Sequence, residues 1–338
     1  MGQRFFSGSN SGEGFHNYFE GVIPVWDHLT RYFMIKGGPG VGKSTLMKRV
    51  AAKAEEAGEE VELFYCSGDP DSLDAVRLVK RGIVFADATS PHAMDPQYPG
   101  VVEEIVNLGE QIDRNRITAY RDEIETLTKN NKESYRRGYA FLRAAKALEE
   151  ERYREISACV DMEKIKKQAM DMAERIGKKE GRQTRHLFLD ALSCKGRVSF
   201  AKEYCDDNRV YRVLGEEKDV VTDLLAKEVE SDRKELFCSP LCPERVNHML
   251  LREREVFLTT TPGTDGVLLS ATEFLKKDCH SLVSQYAVEA RRLEEAAMNC
   301  FKECKKIHDD LEDFYKECVD FATITGRTEQ LLDLLWAL

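Results

Sequence analysis

The chain has 338 residues, 33% of them charged and 42% hydrophobic, with a formal net charge of −10. That length exceeds one typical core and points to two domains, and the composition excludes a disordered chain. The acidic balance argues against a nucleic-acid backbone as partner, and no apolar run reaches the roughly eighteen residues of a membrane span. The start "MGQRFF" fits neither a signal peptide nor a myristoylation site, so the expected location, by elimination, is the cytoplasm. Ten cysteines then read as reduced thiols. Cys238 and Cys242, like Cys300 and Cys304, are spaced i, i+4, which favours core packing over zinc.

In chain order, "RYFMIKG" (31–37) is a short apolar run stopped by glycines, a buried strand. From 44 to 56 the apolar residues Leu46, Met47, Val50, Ala51 and Ala54 recur at helical spacing, and Gly58 closes that helix. "EVELFYCSG" (60–68) and "RGIVFADAT" (81–89) are rich in strand formers, with a helix-like link between them. Strand, glycine loop, helix, strand, link and strand imply a parallel sheet flanked by helices.

Between the first strand and helix stand Gly37, Gly38, Pro39, Gly40, Val41, Gly42, Lys43 and Ser44, followed by Thr45. This satisfies GxxxxGK[ST] in strand–loop–helix context. Glycines let successive backbone N–H groups turn inward as an anion nest, and the helix start adds its positive dipole end. Lys43 can reach β- and γ-phosphates, Ser44 Oγ can ligate Mg²⁺, and Thr45 is placed for an α-phosphate. Asp87 follows four apolar residues at a strand's end, where it would hold Mg²⁺ directly or through water. Asp69, Asp71 and Asp74 in "SGDPDSLD" lie on the rim where open α/β sheets bind ligands. Asp69 or Asp71 could orient a water or an acceptor hydroxyl, although Asp71 or Ser72 could equally cap a helix. His92 in "TSPHAMDP" is a loop histidine that could contact a ligand.

Through "GGPGVGKST" and "GIVFADAT" the sequence resembles the P-loop NTPase superfamily. The resemblance implies an αβα nucleotide-binding sheet and Mg–nucleotide chemistry, and it is strong over about residues 30–90. More loosely, the chain resembles uncharacterised bacterial ATP-binding proteins with tandem P-loop domains. Neither an NKxD motif nor an LSGGQ motif is present, which favours ATP over GTP and sets the chain apart from transporter ATPases. Ala88 stands where many vigorous ATPases carry a catalytic glutamate.

Residues 110–179 carry helical spacing and balanced charge, as expected of two or three long helices forming a solvated arm, with a protein-partner surface as the alternative. "RIGKKEGRQTR" (175–185) is the expected domain boundary, giving domains 1–180 and 181–338. A second round follows: "RHLFLDAL", "RVYRVLG", a helix "VVTDLLAKEV", strands "ELFCS" and "REVFLTTT", and a helical tract over about 281–324. The closing "QLLDLLWAL" needs a docking surface.

An offset of 179 places Tyr32 on Tyr211, Met34 on Val213, Leu46 on Leu225 and Val50 on Val229, which reads as a duplication. At that offset Lys43 falls on Thr222, the loop glycines fall mostly on acids, and Asp87 falls on Thr260. The expected fold is α/β: two tandem P-loop-type αβα domains with parallel sheets, each followed by a long helical insertion or hairpin, the second with a degenerate loop. The expected activity is slow ATP hydrolysis used as a switch. The alternatives are phosphotransfer to a small acceptor, with Arg182 and Arg185 as lid arginines, and ATP binding without turnover.

Overall fold

A computed structural model of the chain describes residues 2–176, 183–229, 231, 233–270 and 280–337. The run at 31–37 forms the strand Arg31–Lys36, with Ile83–Asp87 and Glu103–Asn107 parallel on either side. The sheet has six strands in the order Gln3–Phe6, Val61–Tyr65, Leu73–Leu78, Ile83–Asp87, Arg31–Lys36, Glu103–Asn107.

This sheet is mixed, where the sequence reading leads to a parallel one. Leu73–Leu78 runs antiparallel to both Val61–Tyr65 and Ile83–Asp87, in the place of the helix-like link. All six of its residues are buried, Asp74 and Arg77 included, so a short segment buried on both faces carries no apolar period to separate strand from helix. The turn before it is set by Asp69, whose carboxylate accepts hydrogen bonds from the Asp71 N–H at 3.2 Å and the Ser72 hydroxyl at 3.1 Å. No helix starts there, so neither Asp71 nor Ser72 is a helix cap.

The second round builds a sheet of the same strand order: Thr184–Leu187, Lys234–Cys238, Val246–Leu251, Val256–Thr259, Arg209–Leu214, Val267–Ser270. Parallel and antiparallel pairings recur in the same places. Even an irregularity is shared: the first hairpin slips register between Phe64 and Tyr65, the second between Phe237 and Cys238. In sequence, the first strand of each round is followed by a small antiparallel hairpin, Gly8–Ser11 with Gly14–Asn17 and Asp190–Ser193 with Gly196–Ser199.

The chain folds as two compact units that differ from a cut at 180, and residues 177–182 around that expected boundary lie outside the described residues. Unit 1 holds Met1–Phe5, Asp27–Arg137 and Cys300–Leu338; unit 2 holds Phe6–Trp26 and Gly138–Asn299. The reason is where the helical arms bury their apolar faces. In unit 1, Ile324, Leu332 and Leu335 of the helix Phe321–Ala337 join Ile35, Leu46, Met47, Val50 and Phe85 in one core. That is the docking surface "QLLDLLWAL" needs, and each such side chain contributes about 1.5–3 kcal/mol on burial. In unit 2, Ile156, Val160 and Ile165 join Val213, Val221, Leu225, Leu251 and Leu258. Each core is thus finished by helices from the other round of the sequence.

The arm itself is a 39-residue helix, Arg121–Cys159, followed by Met162–Ile176, and its counterpart is the 38-residue His280–Glu317 followed by Phe321–Ala337. No helix among the described residues is long and apolar enough to cross a membrane. Nine cysteines are described, all free.

Candidate functional site

In unit 1 the segment 37–42 links the strand Arg31–Lys36 to the helix Lys43–Glu56. Gly42, the residue before the helix, has φ 95° and Gly40 has φ 67°, left-handed values that turn the backbone inward at little steric cost only for glycine. The Lys43 ammonium lies back along this loop, donating to the Gly37 carbonyl at 3.1 Å and the Gly38 carbonyl at 2.9 Å. It also stands 3.7 Å from Asp87 Oδ2. Lysine and aspartate arrive from adjacent parallel strands, the first just beyond its loop and the second at the strand's own end.

Asp87 divides its oxygens. Oδ1 accepts from the Thr89 N–H at 2.8 Å and the Thr89 hydroxyl at 2.5 Å, while Oδ2 faces Lys43. Ser44 Oγ accepts from the Leu73 N–H at 2.9 Å and retains its own proton to donate. Thr45 is exposed on the first turn. The structure therefore brings residues 37–45 and Asp87 together.

Asp69 caps its turn and reaches Lys305 Nζ at 3.6 Å. Asp71 is exposed at the tip, where its carbonyl accepts from Lys48 Nζ at 2.5 Å. Asp74 points inward to His92, 3.3 Å away, both nearly inaccessible. Burial pulls the His92 imidazole down, but the hydrogen bond and charge of Asp74, with Asp87 behind, hold it net above the usual histidine range. The loop histidine is thus a buried partner of Asp74.

The sequence reading misses one wall of this site. Helix His280–Glu317 lays its last turns against the glycine loop. A Cβ on Gly38 would stand 2.7 Å from the Tyr315 ring, and one on Gly40 would stand 3.0 Å from the Glu312 carbonyl oxygen. His308, one turn before Glu312, lies close enough to Lys43 for their charges to interact. Burial pushes its imidazole below the usual range, against the pull of Glu312. The only signal in the sequence is the spacing of Lys305, His308, Asp309 and Glu312 on one helical face, which is also that of any solvated helix.

Among the described residues, His308, Asp309 and Glu312 form the one group of three side chains placed to share a metal ion. Their carboxylates are already occupied: Lys305 pairs with Asp309, and Lys316 lies 2.8 Å from Glu312. Ser44 and Asp87 are the better match for a hard divalent cation, both offering oxygen beside an anion-directed loop.

In unit 2 the corresponding loop is shorter. Six residues separate Lys36 from Lys43, but three separate Leu214 from Lys218. Buried Val221, Thr222, Leu225, Ala226 and Val229 repeat the spacing of Leu46, Met47, Val50, Ala51 and Ala54. The strand offset is 178 rather than 179, since Arg31 pairs with Ile83 as Arg209 pairs with Val256, which places Phe33 on Tyr211 and Ile35 on Val213. The helix offset is 175, so Lys43 corresponds to Lys218, with Thr222 in the place of Met47. Asp87 still falls opposite Thr260, since Val256–Thr259 matches the strand of Asp87.

A guanidinium occupies this second loop. Arg152 donates to the Glu216 carbonyl at 3.0 Å, to Asp219 Oδ2 at 2.9 Å and to Glu149 Oε2 at 3.0 Å. The carboxylates outweigh the cost of burial and hold Arg152 above its usual range. Arg185, the expected lid residue, is buried in unit 2 instead, 2.8 Å from Glu235 Oε1 and donating to the Gly21 and Val22 carbonyls. Arg182 lies outside the described residues.

The profile of a family described as Nephrocystin 3, N-terminal, matches residues 25–142, a span that includes the glycine loop and Asp87. No curated protein matches the chain. No solved structure matches it either.

Proposed function

We propose that unit 1 is a P-loop site that binds Mg–ATP through residues 37–45 and hydrolyses it slowly, as a nucleotide switch of the cytoplasm. The observation that carries this reading is the convergence of Lys43 and Asp87, 3.7 Å apart, at the mouth of a loop turned inward by Gly40 and Gly42. Backbone N–H groups and the helix start favour a polyanion there. Lys43, now resting on two loop carbonyls, moves its charge onto the β- and γ-phosphates. Ser44 and Asp87 would hold Mg²⁺, which would supply charge neutralisation to the phosphate tail. Thr45 contacts the α-phosphate from the first helical turn.

Hydrolysis is favoured over phosphotransfer because Arg185 is committed to Glu235 and serves no lid. Slow turnover follows from Ala88 beside Asp87, where a catalytic carboxylate would otherwise stand. Asp69 is engaged by its own turn and by Lys305. Unit 2 is read as a nucleotide-free sibling, because its loop is short, acidic and filled by Arg152.

Calorimetry with ATP and Mg²⁺ tests this directly. One site per chain, weakened in Lys43→Ala, is the expected result. Two sites, or binding and turnover indifferent to Lys43→Ala, would overturn it.

A further inference from the structure

A triphosphate in the glycine loop would turn the far side of its terminal phosphate toward the Asp69 turn. Lys48, from the same round of the sequence, is held on the Asp71 carbonyl at the exposed tip of that turn. The wall contributed by helix His280–Glu317 brings a second cation. Reading back along this helix from the loop, Tyr315 meets Gly38, Glu312 meets Gly40, His308 feels the charge of Lys43, and Lys305 reaches Asp69. These residues are spaced three or four apart and share one face, so the helix crosses the loop along its length. From Glu312 to Lys305 is about 10 Å of helix, which carries the ammonium from the loop glycines to the Asp69 turn. That turn leads through Ser72 to Leu73, whose N–H meets Ser44 Oγ at 2.9 Å.

We propose that Lys305 is a substrate-contacting residue: it binds the terminal phosphate of the nucleoside triphosphate held at residues 37–45. The inference rests on the nucleotide reading above. The ammonium stands between Asp69, 3.6 Å away, and Asp309. Both carboxylates are partly open to water, with Asp309 half exposed, so they can be resolvated when the lysine leaves them. A terminal phosphate offers more charge and more acceptor oxygens than either. Glu312 does not repel it strongly, since Lys316, 2.8 Å away, compensates its charge.

In the reaction, a water oxygen bonds to the γ-phosphorus as the bond to the bridging oxygen breaks, and that electron pair stays on ADP. The proton of the water leaves with inorganic phosphate or to solvent. Lys305 keeps its protons throughout and donates a hydrogen bond to a γ-oxygen as charge shifts there. Unit 2 holds the same device in closed form: Arg152, also carried on a long helix from the other round, is satisfied by Asp219 and the Glu216 carbonyl of the loop itself.

The test compares Lys305→Ala, Lys305→Arg and the unmodified chain for affinity toward ADP and a non-hydrolysable ATP analogue, both with Mg²⁺. In Lys305→Ala, affinity for the analogue should fall about ten- to hundred-fold while ADP affinity stays within about two-fold, and turnover should fall with the former. Lys305→Arg should recover part of the loss. A merely structural lysine would shift melting temperature, or both affinities together. Equal affinity of Lys305→Ala and unmodified protein for the analogue would overturn the assignment of Lys305 alone. Failure of the unmodified protein to bind either nucleotide would overturn the underlying reading and this inference with it.

Discussion

The loops at 37–43 and 215–218 occupy the same place in two sheets of the same order and are chemically opposed. The first is six residues of mostly glycine before a lysine, with a carboxylate held across from it. The second is three residues, Gly215, Glu216 and Glu217, and it takes a cation, Arg152, where the first is proposed to take an anion. The lesson is that a hydrophobic frame and a site are separable. Buried positions at i, i+1, i+4, i+5 and i+8 of each helix keep the frame, and the loop in front is free to lengthen, shorten or invert its charge.

The sharpest way to break the comparison is at Arg152. Arg152→Ala leaves Glu149 and Asp219 facing each other with no guanidinium between them, a loss of about 3–5 kcal/mol of unit 2 stability. Chemical denaturation should show it, and ATP stoichiometry should stay at one, since the short loop offers no nest even when emptied. Gain of a second site would mean that Arg152, rather than loop length, keeps nucleotide out.

Next in size is Lys43→Ala, which removes a charge-assisted contact of about 1.5–3 kcal/mol, or roughly ten- to hundred-fold in ATP affinity. Lys218→Ala, its counterpart in unit 2, should leave that affinity unchanged. Calorimetry on the two variants distinguishes a functional lysine from its positional equivalent.

Gly40→Ala sharpens the comparison at the backbone. A Cβ at φ 67° costs about 1–2 kcal/mol and also meets the Glu312 backbone, so the melting temperature and ATP affinity should both fall. Gly100→Ala, at φ 77° with open space around it, should lower the melting temperature and spare ATP affinity.

The smallest effect concerns pH. Asp74 and Asp87 raise His92 despite its burial, so the folded state favours the imidazolium. Its stabilising contribution is full below the ordinary histidine value of about 6.5 and is lost as pH rises through the raised one. The melting-temperature difference between the unmodified chain and His92→Gln should therefore shrink as pH increases. A difference that grows with pH would show that His92 is neutral in the fold.

Several features are readable in the residues alone because their determinants are local. Apolar spacing marks the helix Lys43–Glu56, β-rich runs bounded by glycine mark Arg31–Lys36, Val61–Tyr65 and Ile83–Asp87, and the glycine–lysine–serine order marks the loop. The duplication is readable too, since matching strands carry matching residues, as in "ELFYC" and "ELFCS". Offset and register are not. The loop lost three residues without leaving a trace in apolar pattern, so a single offset misplaced Lys218.

What only the tertiary structure decided is which helices complete which core and what faces the loop from outside. Leu73–Leu78 became a strand because hairpin pairing satisfied its backbone on both sides, a non-local hydrogen-bonding choice. Lys305 and Glu312 stand more than 250 residues from the loop in sequence, on a helix whose charge pattern looks merely solvated. Local order fixes periodicity and turn chemistry, whereas contacts at long separation depend on which apolar faces find each other, and that is settled only when the cores close.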